Sequence, residues 1–376
     1  MQKRNVRFIE YADWYHREET ELRPRVLKCL EQGELLLRGE VKDFETSLAA
    51  YVGTKHPVGC SNCTDALRLA LVAAGICPGD EVITSAHTFA ATVAAIVQTG
   101  AVPVLADIKP DDQLIDVASV KQQLTKRTRA IMPVSLNGRV ADVEETEQLA
   151  KENGLLVIED AAQGLGAYRN GRMSGSFGVA GCFSFYPAKT LGALGDAGAI
   201  TTDSDDVADR LRRLRNHNRG DDGDIVNWGY NCRIDNVQAA VLNYRLSQIE
   251  RYVERRREIA GEYRAGLQDV TQLSLPPSDR NEKANRDAFQ NYECEADDRD
   301  GLVSHLRESG IEVILPWGGR AIHHLSAYSG PREHLGVTDL HFGRVVSLPM
   351  HSCMSDADVS YVIASVRQHF GYRQAA

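Results

Sequence analysis

The chain has 376 residues, 43% of them hydrophobic and 25% charged, which sets it apart from disordered, collagen-like and fibrous sequences and leaves room for two domains. Asp and Glu (52) outnumber Lys and Arg (43), and a net charge of −9 opposes a phosphate backbone, so nucleic acid is not an expected partner. No run approaches the roughly 18 apolar residues of a membrane span, and the charged first twenty residues contain no signal-peptide core. A cytoplasmic protein without a membrane partner is expected.

The first fifty residues read as helical and are expected to pack back on the C-terminal part. From Val58 to Asp203, short apolar runs alternate with helical patterns, the signature of βαβ units around a mostly parallel sheet. Val82 to Thr84, Val102 to Ala106, Ala130 to Val134, Leu155 to Ile158 and Cys182 to Phe185 read as buried strands. After Thr64, Leu67, Ala70, Leu71 and Ala74 share one helical face, and Gly75 marks the stop. One long helix is predicted from Asp235 to Leu267. Beyond it come strand-like pieces (Ala288 to Cys294, Glu312 to Leu315, Val345 to Leu348) and two amphipathic helices (Leu302 to Glu308, Ala357 to His369). The expected fold class is α/β, with a large domain over 1–250 and a smaller α+β domain over 251–376.

Several chemistries lack their motifs. There is no G-x-G-x-x-G after a first strand, no P-loop, no H-E-x-x-H and no G-x-S-x-G. The eight cysteines are scattered and read as reduced thiols. Cys60 and Cys63 form a C-x-x-C behind His56, but no second pair completes a zinc set, so no metal is expected.

Three patterns in order carry chemistry. Ser61-Asn62-Cys63-Thr64-Asp65-Ala66-Leu67 leads from a strand into a helix, whose first N–H groups can hold an anion; a plain helix cap is the simpler reading of that segment alone. Leu155 to Asp160 is a buried strand ending in carboxylates, and open α/β sheets bind ligands beyond the carboxyl ends of their strands. Lys189 follows the aromatic strand Cys182-Phe183-Ser184-Phe185, where partial burial favours a neutral, nucleophilic amine. An anion cradle, a carboxylate and such a lysine are together what pyridoxal phosphate requires.

These segments give the chain a resemblance to the DegT/DnrJ/EryC1/StrS family of sugar aminotransferases, pyridoxal-phosphate enzymes of fold type I. It rests on residues 61–67, Pro78-Gly79-Asp80-Glu81-Val82-Ile83-Thr84, Thr88-Phe89-Ala90-Ala91-Thr92 and Ile158-Glu159-Asp160-Ala161-Ala162-Gln163. It continues through Gly181 to Lys189, Leu191 to Ala199, Arg215-Asn216-His217 and Gly229 to Asp235. The resemblance implies that Lys189 is the Schiff-base lysine and that Asp160 pairs with the pyridinium nitrogen. It further implies that Gln163 reaches the ring hydroxyl, that Phe89 covers the ring, and that Cys63, Thr64 and Ser184 hold the phosphate. Asn231 is implied to reach the phosphate of a neighbouring subunit, in a homodimer with a shared active site.

The implied activity is ping-pong transfer of an amino group from a donor such as glutamate to a keto sugar, most simply a nucleotide-linked one. A keto-cyclitol acceptor is the alternative. A family dehydratase would carry His in place of Lys189, and a non-catalytic regulator could dispense with Lys189, Asp160 and Ser184. Arg219 and Arg233 are candidates for a substrate pyrophosphate, with His323, Tyr186 and His217 as further substrate-side candidates. Two departures from the family stand out. Cys63 replaces a common glycine and is expected to keep a negative φ, and Leu35-Leu36-Leu37 suggests a greasier approach to the site.

Overall fold

The computed structural model describes residues 3–220, 222–278, 284–332 and 334–372. Helices α1 (Tyr11–Gln32) and α2 (Gly39–Val52) lead into strand β1 (His56–Cys60) and helix α3 (Cys63–Ala73). The βαβ region then runs through β2 (Glu81–Ser85), α4 (Ala90–Gln98), β3 (Val102–Ala106), α5 (Val117–Gln122), β4 (Thr128–Met132), α6 (Val143–Asn153) and β5 (Leu156–Asp160). A short hairpin, β6 (Tyr168–Arg169) with β7 (Arg172–Met173), precedes β8 (Ala180–Ser184), β9 (Gly198–Thr202) and α7 (Asp205–Leu214).

The seven-stranded sheet has the order β1-β9-β8-β5-β4-β2-β3. Pairing is parallel from β3 through β8 and antiparallel on both sides of β9, so β9 alone runs against the other six. Continuous apolar runs make such strands because both faces are covered. Ile131 and Val157 face one core with Phe44 and Leu48 of α2, while Ala130 and Ile158 face the other with Leu67, Ala70 and Leu71 of α3. The carboxyl ends of β2, β4, β5 and β8 therefore open on one edge, where loops are free to carry side chains into a common space.

The remainder comprises α8 (Asn236–Ser247), α9 (Ile249–Leu267), β10 (Leu273–Ser274), β11 (Tyr292–Ala296), α10 (Arg299–Glu308), α11 (Gly336–Arg344), β12 (Val345–Leu348) and α12 (Asp356–His369). β10, β11 and β12 form a three-stranded antiparallel sheet. Helix α9 belongs to both halves: Ile249 and Val253 lie in the first core, and Ile259, Tyr263 and Leu267 lie in that of the smaller sheet.

The structure corrects several sequence expectations. The single helix over 235–267 is two, because Gln248 leaves helical geometry (φ −106, ψ 2) between α8 and α9. Of the N-terminal segment, Val6 joins the smaller core, but α1 packs on the large one. There the buried Glu18 accepts from Trp14 Nε1 at 2.8 Å and Arg245 Nε at 2.9 Å, and also from the Tyr252 hydroxyl. The strand expected at 288–294 begins only at Tyr292, since Phe289 takes a left-handed φ of 47°. Residues 312–315 contribute no strand, only the bridge from Ile314 to Ser347.

Candidate active site

β5 sends its last two carboxylates to opposite faces, as the two-residue period of a strand requires. Glu159 turns inward and is fully paired: its Oε1 accepts from Ser135 Oγ and Ser174 Oγ, each at 2.6 Å, and its Oε2 from the Gly175 N–H at 2.7 Å. Asp160 turns to the open edge, where its Oδ2 accepts from Thr92 Oγ1 at 2.7 Å and its Oδ1 from the Ala162 N–H at 3.1 Å. Burial pushes the Asp160 carboxyl above its ordinary value, against the opposing pull of Thr92, Ala162 and Lys189.

Lys189 stands in the turn after β8, with its N–H donating to the Tyr186 carbonyl at 2.8 Å. Burial holds its ammonium below the ordinary lysine value, although the neighbouring Cys63 and Asp160 favour the charge. Gln290 grips this turn on both sides: its Oε1 accepts from the Thr190 N–H at 2.7 Å and its Nε2 donates to the Ala188 carbonyl at 3.0 Å. The backbone around Lys189 is thus held independently of whatever the amine binds.

The third element is the start of α3. Asn62 caps it by accepting from the Asp65 N–H at 2.8 Å, which leaves the N–H groups of Cys63 and Thr64 without an intrahelical acceptor. Cys63 is helical with negative φ, so it replaces a glycine there without left-handed strain. A glycine is needed opposite it instead: a Cβ on Gly198 would come within 2.5 Å of the Asn62 carbonyl carbon and 2.9 Å of the Cys63 nitrogen. β9 therefore passes directly under the helix start, a close approach that shapes the cradle.

Asp160, Lys189, Cys63, Thr64, Ser184, Phe89, Gln163 and Tyr186 all line one cavity of about 510 Å³. A larger cleft of about 660 Å³ lies beside α1 and α9. Arg255 pairs there with Glu258 and Asp356, and Glu18 with Arg245, whereas Lys189 and the strand-end carboxylate of Asp160 line the smaller cavity. The donor set there fits pyridoxal phosphate: free N–H groups and hydroxyls for a phosphate, a carboxylate for a ring nitrogen and an amine for an aldehyde.

The remaining sequence candidates lie elsewhere in this chain. His217, Arg219 and Asn231 are exposed, and Arg233 donates to Asn216 Oδ1 at 3.2 Å; none of the four lines the cavity. His323 is buried, its Nε2 lies 2.7 Å from Asp339 Oδ1, and it does not line the cavity of this chain. Leu35 and Leu36 are exposed away from it as well. Conversely, sequence reasoning assigned no role to Thr92, Gln290, Asn291 or Trp317, all of which line it. Thr92 had one available signal, its position in the first turn of a helix whose start faces the end of β5.

Fold and site together define a fold type I aminotransferase. Residues 16–367 match the DegT/DnrJ/EryC1/StrS aminotransferase family, and the chain belongs to it. It is a pyridoxal-phosphate enzyme, as the family is. The chain is 38% identical to a dTDP-3-amino-3,4,6-trideoxy-alpha-D-glucose transaminase of Micromonospora megalomicea, over 94% of this chain and 96% of the relative. It is 36% identical to a pleiotropic regulatory protein of Geobacillus stearothermophilus, over 97% and 99%. Among solved structures, S. venezuelae DesV in complex with a ketimine intermediate superposes with a TM-score of 0.94 at 35% identity, covering 98% of this chain and 100% of that one.

Proposed function

We propose that this aminotransferase moves an amino group from glutamate to a nucleotide-linked keto sugar. The observation that carries the reading is Lys189 and Asp160 facing one cavity at the carboxyl edge of the sheet, and the similarity to a dTDP-sugar transaminase supports the acceptor class. In this reading the N–H groups of Cys63 and Thr64 and the hydroxyls of Thr64 and Ser184 hold the cofactor phosphate. Phe89 covers the ring and Gln163 meets its hydroxyl edge. Gln163 Oε1 already accepts from the Asn137 N–H at 2.8 Å and Asn291 Nδ2 at 3.2 Å, which orients the side chain.

Pyridoxal phosphate supplies the electron sink that stabilises a carbanion. Asp160 holds a proton on the ring nitrogen and so keeps that sink cationic. Lys189, whose burial favours the neutral amine, takes a proton from the donor α-carbon at Nζ and delivers one to the acceptor carbon in the return half-reaction. Phe89 and Trp317, with ring centres 6.5 Å apart, line one side of the cavity. Lys189, Asp160 and Ser184 are all in place, which favours catalysis over a purely regulatory role for this chain.

The proposal includes a second copy of the chain and a cytoplasmic setting. Asn231, His217, Arg219 and Arg233 act, in this reading, on the partner's site. Support comes from the same strip, where Val226 is 76% and Trp228 90% exposed, an apolar display that a partner would cover. Eight free cysteines suit a reducing compartment, and among the described residues no helix is long and apolar enough to cross a membrane.

The test is an absorbance spectrum of the purified protein before and after glutamate, then after a panel of dTDP- and UDP-linked keto sugars and free keto-cyclitols. We expect glutamate to bleach the cofactor band and a nucleotide-linked acceptor to restore it. Restoration by a cyclitol alone would replace the acceptor class, and a band indifferent to glutamate would remove the donor.

A further inference from the structure

Behind the cavity wall, His87, Glu293 and His341 converge from three distant stretches of the chain: the loop after β2, strand β11 and helix α11. Their side chains are 0%, 5% and 3% exposed. Each imidazole is oriented from behind. His87 Nδ1 lies 3.1 Å from the Gln113 carbonyl and His341 Nδ1 lies 2.8 Å from Glu295 Oε1. Both of these partners are acceptors, so each ring carries a proton on Nδ1 and, as a neutral imidazole, turns the lone pair of Nε2 inward.

Glu293 Oε2 meets both lone pairs, 3.4 Å from His87 Nε2 and 3.9 Å from His341 Nε2. All three atoms are buried without a hydrogen-bond partner. Three electron-pair donors facing one another in an apolar enclosure repel unless a positive charge, a proton on one Nε2 or a metal ion, sits between them. The enclosure is aromatic, with Trp317 and Phe342 edge-on to His87 at ring-centre distances of 5.2 and 5.3 Å.

We propose that His87 Nε2, His341 Nε2 and Glu293 Oε2 bind a divalent transition-metal ion, with zinc the best match to a two-histidine, one-carboxylate donor set. Zinc–ligand bonds of about 2.0–2.1 Å place tetrahedral ligands roughly 3.3 Å apart, so the site closes by only about half an ångström at His341. Glu295 and the Gln113 carbonyl supply the outer contacts that fix metal-bound imidazoles. The ion clips the loop after β2 to β11 and α11 behind Trp317, and so braces the wall that carries Trp317 and Phe89. The neighbouring group His323, His324 and Asp339 differs in kind: Asp339 Oδ1 already pairs with both rings at 2.7 Å and is half exposed.

The experiment uses the full-length holoenzyme, stripped with a chelator and dialysed against zinc, with bound metal measured by mass spectrometry. One zinc per chain is expected, lost in Glu293→Gln and bound at least about tenfold more weakly in Glu295→Gln. Cobalt loading of the unmutated chain should add visible ligand-field bands to the cofactor spectrum, a readout that does not depend on any variant folding. Sub-stoichiometric zinc with no cobalt bands overturns the proposal. So does uptake unchanged by Glu293→Gln, or uptake lost in His324→Ala.

Discussion

The cavity at the carboxyl edge is furnished by one chain, whereas the strip from His217 to Arg233 carries site-type residues that touch no site. In the cavity each reactive group has its support: Thr92 on Asp160, Gln290 around Lys189, Asn62 capping α3. In the strip, His217 and Asn218 adopt left-handed φ of 60° and 58°, and a tryptophan lies open. Backbone strain and exposed apolar surface persist where something else compensates them. In our proposal the groups that move protons, Lys189 and Asp160, belong to one chain, while the hold on the cofactor phosphate and on the rest of the substrate is divided between two.

The sharpest way to break that division is complementation. Lys189→Ala should lower transfer by at least about 10²–10⁴-fold, since it removes the proton carrier, and Asn231→Ala should weaken cofactor retention. Mixed and refolded together, the two variants regain activity if Asn231 serves the partner, because one of the two sites then has both residues. No recovery in the mixture, measured by coupled glutamate turnover, would return Asn231 to a local role.

Within the cavity, Asp160→Asn should lower kcat by about 10²–10³-fold, comparable to removing a group aimed at developing charge. Stability should move the other way. The native carboxyl holds its proton to higher pH than the unfolded chain, so the cofactor-free protein loses stability as pH rises above 3.8, with the full deficit once the native group has ionised. Asp160→Asn removes this dependence. Denaturant titrations of the stripped protein at acidic and neutral pH check it, and a cofactor-free variant less stable than wild type only at neutral pH would contradict it.

How much was legible in the sequence follows the same line between local and distant. The strand over 102–106 and the placement of Asp160 and Lys189 rest on short patterns read in place. β9 escaped because Gly-Ala-Ile-Thr-Thr follows a glycine-rich loop and reads as its continuation, though Gly198 is what lets the strand run beneath α3. His323 was a candidate on the resemblance alone, and its pairing with Asp339, 16 residues away, is not legible from the local sequence. No spacing rule could join His87, Glu293 and His341, which meet only through the tertiary fold, and Gln290 reaches Thr190 across 100 residues.

Thr92 offers the finest discrimination within the cavity. Its hydroxyl donates to Asp160 and lies 2.6 Å from that of Thr88, so Thr92→Val removes one donor from a buried carboxylate and leaves the charge in place. The loss should be smaller than for Asp160→Asn, roughly ten- to a hundredfold in kcat, because a hydrogen bond to a charged group contributes about 1.5–3 kcal/mol and Ala162 still donates. Thr92 holds the Asp160 carboxyl down against its burial. Without it that group protonates at higher pH, and the acid limb of the pH–rate profile should move upward. Thr92→Ser keeps the hydroxyl and should restore the wild-type limb. A Val variant with a slower rate but an unmoved limb would mean that Thr92 only packs α4 against β5, and the support of Asp160 would then fall to Ala162 and Lys189.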